Sequence, residues 1–556
     1  MAVTDSKAAY LKQMRSRLQQ QFVNNCGRKL IEVRDFMLPE LGRFPGETAE
    51  QDLERRLKHV IMSVAQAANE VLASGFQSGL TSPAQKWFLW RPRKRKLLEI
   101  GKVRDWFDEV ESIMYNVLAG SNFYEVIHGA YTELGPFGMF DVLMEEDEQD
   151  VVRFTHLPVG TFYWACDARG RVDTVVRDVW WSPRQLAEKF GKENMSKGAI
   201  EKLDTAPDTP LPCFSIVMPR KGYKPDSFFT TDMPWAEYVL ENTSDNDKLL
   251  YEGGYREFPH LVARWFQYGN ETYSVTCPGY AALPDVRQLQ AHAKTIIKMS
   301  QLSADPTLRV PAGMRNRLRM MPGGQVATSS HNPDSVSPLY VPNPATLQPL
   351  KEWMVEVLIP TIEGHFHKDV FMMFSEGDKV RSATEIIERR QEKMVVLGPV
   401  TSRFQHGTLD PGLTRLFNVL YRRGMIPPVP EELASADADI EYVSVLSQAQ
   451  RSATRTSISA LAESVIQISQ VKRDVLDKID FDQIVDEMHG VLGAPASIIR
   501  SDDQVNAIRQ ARLQAAEAEQ NAATVERMAG VAEKMGRVPT DGNTLAGKAA
   551  QVAGVQ

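Results

Sequence analysis

The chain has 556 residues, 43% of them hydrophobic and 24% charged, with a formal charge of −7. That length exceeds what one hydrophobic core serves, so three or more domains are expected. The acidic balance excludes a protein that coats nucleic acid with a basic surface, but not one through which DNA slides without adhering.

Residues 5–75 read as helices. Leu11, Met14, Leu18 and Phe22 form one apolar stripe, and Leu53, Leu57, Val60, Ile61, Val64 and Ala68 form another. The stretch SGFQSGLTSPAQKWFLW (74–90) reads as a Gly/Ser/Pro-punctuated loop. The basic run RPRKRK (91–96) follows, either a solvated segment or a contact with an acidic neighbour or DNA. A third helix spans about 97–120, with Val103, Trp106, Phe107, Val110, Ile113, Met114 and Val117 on its apolar side. Residues 150–182 are rich in β-branched and aromatic types and turn at Ala168-Arg169-Gly170, the pattern of a hairpin. WSPRQLAEKFG (181–191) reads as a short capped helix, and 211–275 as further strands. Together these make an α+β block.

A helix begins at Ala281-Ala282-Leu283-Pro284-Asp285, with Asp285 as N-cap. Val286, Leu289, Ala293, Ile296 and Ser300 share one face; Arg287, Gln290, Lys294, Lys298 and Gln301 share a polar one. It ends before Asp305-Pro306. Residues 306–349 are rich in Pro, Gly and Ser, with β-like pieces at TLRV and SPLYVP. A second helix spans 346–369, kinked at Pro360. The loop 370–380 has core-like Phe371, Met372, Met373 and Phe374, then a tip with Ser375, Gly377 and Lys379. Ser382-Ala383-Thr384-Glu385 fits a capping box and opens an ion-paired helix that stops at Gly398-Pro399. From about 447 the chain reads as helical to about 535, and the Ala/Gly/Gln-rich end reads as flexible.

Candidate chemistry is sparse. No Walker A, G-x-S-x-G or H-E-x-x-H motif occurs. The most metal-like cluster is Glu363, His365, His367 and Asp369. On one helix, residues two apart point about 200° away from each other, so these histidines cannot share a metal. Glu352, Glu356 and Glu363 share a helical face opposite Leu350, Trp353, Met354, Val357 and Leu358. A like-charged stripe does not suit acid–base chemistry. It is a solvated face, or the lining of a channel that must not hold a polyanion. The four cysteines, Cys26, Cys166, Cys213 and Cys277, are scattered and suggest neither zinc nor disulfides. Residues 1–22 lack the apolar core of a signal peptide, and no apolar run approaches the ~20 residues that span a bilayer. No catalytic residue, cofactor or metal is expected. Synthesis in the cytoplasm and no membrane contact are.

Eight segments, in order, resemble the head-to-tail connector, or portal, family of short-tailed phages: SGLTSPAQKWF (78–88), SNFYEVIHGAYTELGPFG (121–138), GRVDTVVRDVWWSPRQLAEKFG (170–191), ARWFQYGNETYSVTCPGYAALPDVRQLQ (263–290), SADPTL (303–308), RSATEIIERRQEKMVVLGP (381–399), FNVLYRRGMIPP (417–428) and LSQAQRS (446–452). QHGTLDPGL (405–413) departs from the more continuous helix of such proteins. The resemblance implies an α+β, predominantly helical portal fold with wing, stem, clip and crown, closed into a ring of twelve subunits around a central channel. It implies wing at 1–280 and 382–446, stem helices at 281–305 and 346–369, a clip at 306–345, a tunnel loop at 370–381, a crown at 447–535 and a tail at 536–556. Glu352, Glu356 and Glu363 become channel-lining candidates. Ser375, Gly377 and Lys379 become tunnel-loop DNA contacts, and Arg287, Lys294 and Lys298 a weaker basic face.

The implied function is a portal at one capsid vertex of the virion, serving packaging, retention and ejection of double-stranded DNA. The implied partners are further copies of the chain, the terminase motor, the major capsid protein, scaffolding protein, a tail adaptor and internal core proteins. A nuclease or ATPase is the first rival and lacks its carboxylate cluster or phosphate loop. A purely helical scaffolding protein is the second, and the β-rich blocks argue against it.

Overall fold

The computed structural model describes residues 2–42, 44–45, 56–94, 97, 100–225, 227–243, 249–269, 271–274, 276–304, 308–309, 337–338, 344–372, 397–433, 438–443, several helical positions between 461 and 485, and 505–520. Two compact units emerge. One comprises Met1–Trp90, Glu109–Pro427 and Ile440–Gly493; the other comprises Arg91–Asp108, Pro428–Asp439 and Ala494–Gln556.

Helix α1 (Ala2–Phe22) passes through a π-helical turn, Val23–Gly27, into α2 (Arg28–Met37). Leu11, Met14, Leu18 and Phe22 are buried, as their spacing predicts. The second predicted stripe is corrected: Leu57 and Ile61 are exposed, residues 56–57 are helical but 58–63 are not, and helix α3 runs from Val64 to Leu80. The reason is tertiary. The backbone N–H groups of Ile61 and Met62 donate to the Gln290 side chain at 2.8 and 3.0 Å, so they are not free for a helix. At its other end α3 continues through the predicted Gly/Ser loop. Gly75 lies against the Phe371 ring, where a Cβ would collide.

After strand β1 (Phe88–Pro92) come α4 (Gly101–Gly120) and α5 (Phe123–Phe137). Helix α5 stops at Gly138, whose φ of 70° favours glycine. The strands that follow are β2 (Met139–Asp147), β3 (Val151–Leu157), β4 (Phe162–Cys166) and β5 (Val172–Trp181). The β4–β5 turn is the predicted hairpin. Gly170 has φ 76°, and the Asp167 carboxylate accepts from the N–H groups of Arg169 and Arg171 at 2.8 and 2.9 Å. Helix α6 (Pro183–Phe190) opens on a capping box between Ser182 and Gln185, then α7 spans Lys197–Thr205. Strands β6 (Leu211–Pro219), β7 (Trp235–Glu241), β8 (Leu249–Tyr255) and β9 (His260–Arg264) complete the block.

These strands form two antiparallel sheets, β3-β2-β9 and β4-β5-β6-β7-β8. Alternation sends successive side chains to opposite faces. One face of the larger sheet meets α1: Arg15 donates to both Asp178 carboxylate oxygens at 2.6 and 2.7 Å and lies over the Phe214 ring. The other face packs Cys213 and Val239 against Leu186, Met195 and Ala199 of α6, its following turn and α7. Asp141 of β2 ties the sheets together. Its carboxylate accepts from Trp164 Nε1 of β4 at 2.9 Å and pairs with His260 Nδ1 of β9 at 2.8 Å.

Helix α8 (Pro278–Ala304) begins earlier than predicted, so Asp285 is not its N-cap but an interior residue. A two-stranded piece follows, β10 (Leu308–Arg309) with β11 (Ser337–Pro338), where short β pieces were read. The second helix is assembled from α9 (Gln348–Trp353), a π turn at Met354–Leu358, and α10 (Ile359–His365). The π turn stands where a kink was predicted. Ile359 N–H reaches back to Met354 O, and Pro360, with no N–H and a ring that crowds the preceding turn, follows at once. His367, at φ 53°, separates α10 from α11 (Lys368–Phe371).

The same device recurs downstream. A helix over 397–404 runs through a π turn, Gln405–Leu409, into α12 (Asp410–Arg422), with Pro411 just after the turn. QHGTLDPGL therefore does not interrupt this helix but widens one turn of it. Strand β12 spans Ala438–Tyr442. The capping box at 382–385 and the charged helix up to 396 lie outside the described residues, as do most of 447–535 and all of 536–556.

Candidate functional site

Among the described residues, no group of three or more His, Cys, Asp and Glu side chains is placed to hold a metal. The two histidines of the metal-like cluster go to different partners. His365 Nε2 lies 3.2 Å from Asp285 Oδ2, and the His367 ring stacks on Trp265 at 6.3 Å. Burial holds the His367 pKa below its ordinary value, with Asp369 opposing. Attention therefore falls on the helix pair made by α8 and α9–α10.

The two run antiparallel, since His365 at the end of the second meets Asp285 near the start of the first. Helix α8 buries Ala282, Leu283, Val286, Leu289 and Ala293. The returning run buries Met354, Leu358, Ile362 and Phe366, a stripe at every fourth residue. This corrects the apolar side read from sequence: Trp353 and Val357 are 45% and 40% exposed, and the buried stripe runs through Met354 and Leu358 instead. Beyond Ala293 every residue of α8 is at least partly exposed, including Ile297.

The carboxylates separate into two kinds. Glu352 and Glu356 are exposed, and among the described residues Glu352 accepts only from Gln348 Nε2, at 3.0 Å. Glu363 is paired with Lys368 at 2.5 Å and half-buried. The basic face also divides. Arg287 is paired with Glu32 of α2, whereas Lys294 and Lys298 are exposed and pair with no described residue. Gln290 leaves the polar face altogether. It is buried, accepting from Ile61 and Met62 N–H and donating to Met62 O at 2.7 Å. Its spacing from Val286 and Ala293 is that of the apolar stripe, and that signal was legible.

The loop carrying Ser375, Gly377 and Lys379 lies outside the described residues. Its entrance does not. Phe371 packs on α3 against Gly75 and Phe76, with ring centroids of Phe76 and Phe371 6.0 Å apart. The loop thus departs from a helix end fixed to the α+β block.

A sequence model described as bacteriophage head to tail connecting protein matches residues 6–499. The chain belongs to this family. Such a connector is a structural protein of the virion and not an enzyme. The connector is 31% identical to the portal protein of Salmonella phage epsilon15 over 530 residues, 94% of each chain. It is 31% identical to the probable portal protein of Bordetella phage BPP-1 over 519 residues, 92% of each chain. A solved chain from the neck of an empty GTA particle aligns over 82% of this chain and 96% of its own, at 12% identity and a TM-score of 0.34. No helix of the described residues is long and apolar enough to cross a membrane.

Proposed function

We propose that this connector is a phage portal: a ring of identical subunits at one capsid vertex that conducts double-stranded DNA during packaging, retention and ejection. The observation that carries the reading is the likeness to portal proteins along nearly the whole chain. The helix pair supports it physically. Ile297, Trp353, Val355 and Val357 stand in water on a single copy. Heterologous contacts that close into a ring would cover such faces with the next copy. The exposed Glu352 and Glu356 suit a channel wall, since carboxylates repel phosphates and let DNA slide.

In this reading residues 1–280 and 382–446 are the wing, 281–305 and 346–369 the stem, 306–345 the clip and 447–535 the crown. Glu352 and Glu356 line the channel, and Glu363 contributes less because Lys368 neutralises it. Ser375, Gly377 and Lys379 of the tunnel loop meet the DNA. Lys294 and Lys298 are the remaining basic candidates, as Arg287 is engaged by Glu32. Twelve copies, a terminase motor, capsid, scaffolding and core proteins and a tail adaptor are the partners.

Negative-stain microscopy and native mass spectrometry of the purified full chain test this. End-on rings with a central hole are the expected result. A monodisperse monomer at every concentration and salt, or metal-dependent DNA cleavage or ATP turnover, would overturn it.

A further inference from the structure

A cavity of about 640 Å³ opens on the face of the large sheet that α1 does not cover. Arg177 of β5 and Glu237 of β7 stand in its floor, with Ser215 of β6 directly across from Arg177. Glu145 enters from β2 and Lys189 from α6. The Arg177 guanidinium makes no hydrogen bond or ion pair with any described residue, although it is largely buried. Burial lowers its pKa, and the charge of Glu145 opposes that shift. Its nitrogens are reached by solvent, so all its donors stand open to an acceptor that enters the recess.

The remaining charges set the sign of a ligand. Arg422, at the rim, is already bound to Glu146 and Glu257 at 2.8 and 2.6 Å. Glu237 accepts the Tyr255 hydroxyl at 2.8 Å. Lys189 lies over the Trp181 and Phe190 rings and its charge acts on Glu237, and Arg256 is exposed. What is left over is Arg177, Lys189 and Arg256 against Glu145 and Glu237, a small positive excess with aromatic walls.

One further feature adjoins the cavity. Thr230 and Met233 line it, and the same loop carries Phe228 and Phe229, 90% and 74% exposed. This loop is braced: Lys224 N–H donates to Asp232 O at 3.0 Å, Ser227 Oγ to Asp232 Oδ2 at 2.7 Å, and Arg220 N–H to Pro234 O at 2.7 Å. Two exposed phenylalanines on a braced loop have the character of interface anchors.

We infer that this cavity docks an acidic peptide segment of a partner protein, with a carboxylate received by Arg177 and Lys189 and an apolar side chain set against Trp181 and Phe190. Phe228 and Phe229 extend the apolar contact outside the recess. Charge complementarity selects the acidic segment. Nucleic acid fits less well, because Glu145 and Glu237 would face a run of phosphates, whereas a peptide can place one carboxylate against the guanidinium. The inference does not depend on the ring.

The test is isothermal titration calorimetry on the full-length protein. Three probes are used: acetyl-Glu-Phe-Glu-amide, acetyl-Lys-Phe-Lys-amide and octathymidylate. The acidic peptide binds about tenfold or more tightly than either other probe, and Arg177→Met reduces that binding about tenfold. Arg256→Glu, at an exposed site, weakens it as well and serves if the Arg177 variant does not fold. No binding of the acidic peptide, equal binding of the lysine peptide, tighter binding of the oligonucleotide, or no effect of either substitution would each overturn the proposal.

Discussion

The β block and the helix pair treat their awkward groups in opposite ways. Inside the β block, the fully buried carboxylates are paired within one copy: Asp141 with Trp164 and His260, Glu133 with the Val159 N–H, Glu241 with Ser196. On the helix pair, Trp353, Val355, Val357 and Ile297 stay in water. A surface closed in one copy is a folding unit; a surface left apolar is an assembly unit. The contrast says where a mutation should damage folding and where it should damage association.

The largest effect is expected at Asp141→Ala. It leaves Trp164 Nε1 and His260 Nδ1 buried without their acceptor, which costs on the order of 3–5 kcal/mol. Urea unfolding followed by tryptophan fluorescence reads it, and a loss under ~1 kcal/mol would remove the β block's claim to internal closure. Next is Gly75→Ala. The new Cβ meets the Phe371 ring, and displacing it costs about 1–3 kcal/mol. If thermal stability does not fall, the loop entrance is not fixed as described.

A smaller, pH-dependent effect is expected at His156, which lies 3.4 Å from Glu133. Burial is the largest single influence and would depress its pKa, but the charge and hydrogen bond of Glu133 and the charge of Asp141 together outweigh it and raise the pKa above 6.5. The folded state then holds the proton more tightly than the unfolded one. This stability is fully present below 6.5 and is lost as pH rises through the folded value. His156→Gln should cost stability in acid and little above neutrality; a cost that grows with pH would reverse the assignment.

The smallest effect on the single copy is expected for Trp353→Ala with Val357→Ala, within ~0.5 kcal/mol because both side chains are exposed. Ring assembly should nevertheless weaken by about tenfold or more, read by native mass spectrometry. A destabilised monomer with intact assembly would erase the distinction between the two regions.

Local signals were strong wherever a short stretch contained its own reason. The α1 stripe, the Ser182–Gln185 capping box and the Gly170 turn need only neighbours a few residues away, and all three are present. The same locality explains the errors. Asp285 looks like an N-cap because Pro284 precedes it, yet α8 absorbs Pro284 and uses Asp285 to meet His365. Residues 58–63 continue an apolar pattern, yet Gln290 takes the backbone of Ile61 and Met62. In the candidate site the sequence placed Glu352 and Glu356 together and exposed, but it had no means of seeing that Lys368 would claim Glu363 or Glu32 would claim Arg287.

By itself the sequence determined the class of protein: eight ordered segments marked the connector family, and periodicity marked two long helices around a β-rich insertion. Those signals are short-range and survive without coordinates. Only the tertiary structure decided which apolar side chains are left over, since packing between distant elements covers Met354, Leu358 and Ile362 and leaves Trp353, Val355, Val357 and Ile297 in water. It alone brought Arg177, Glu145 and Lys189 from separate elements into one recess. Burial and pairing between distant residues are properties of the packed chain, and no local pattern encodes them.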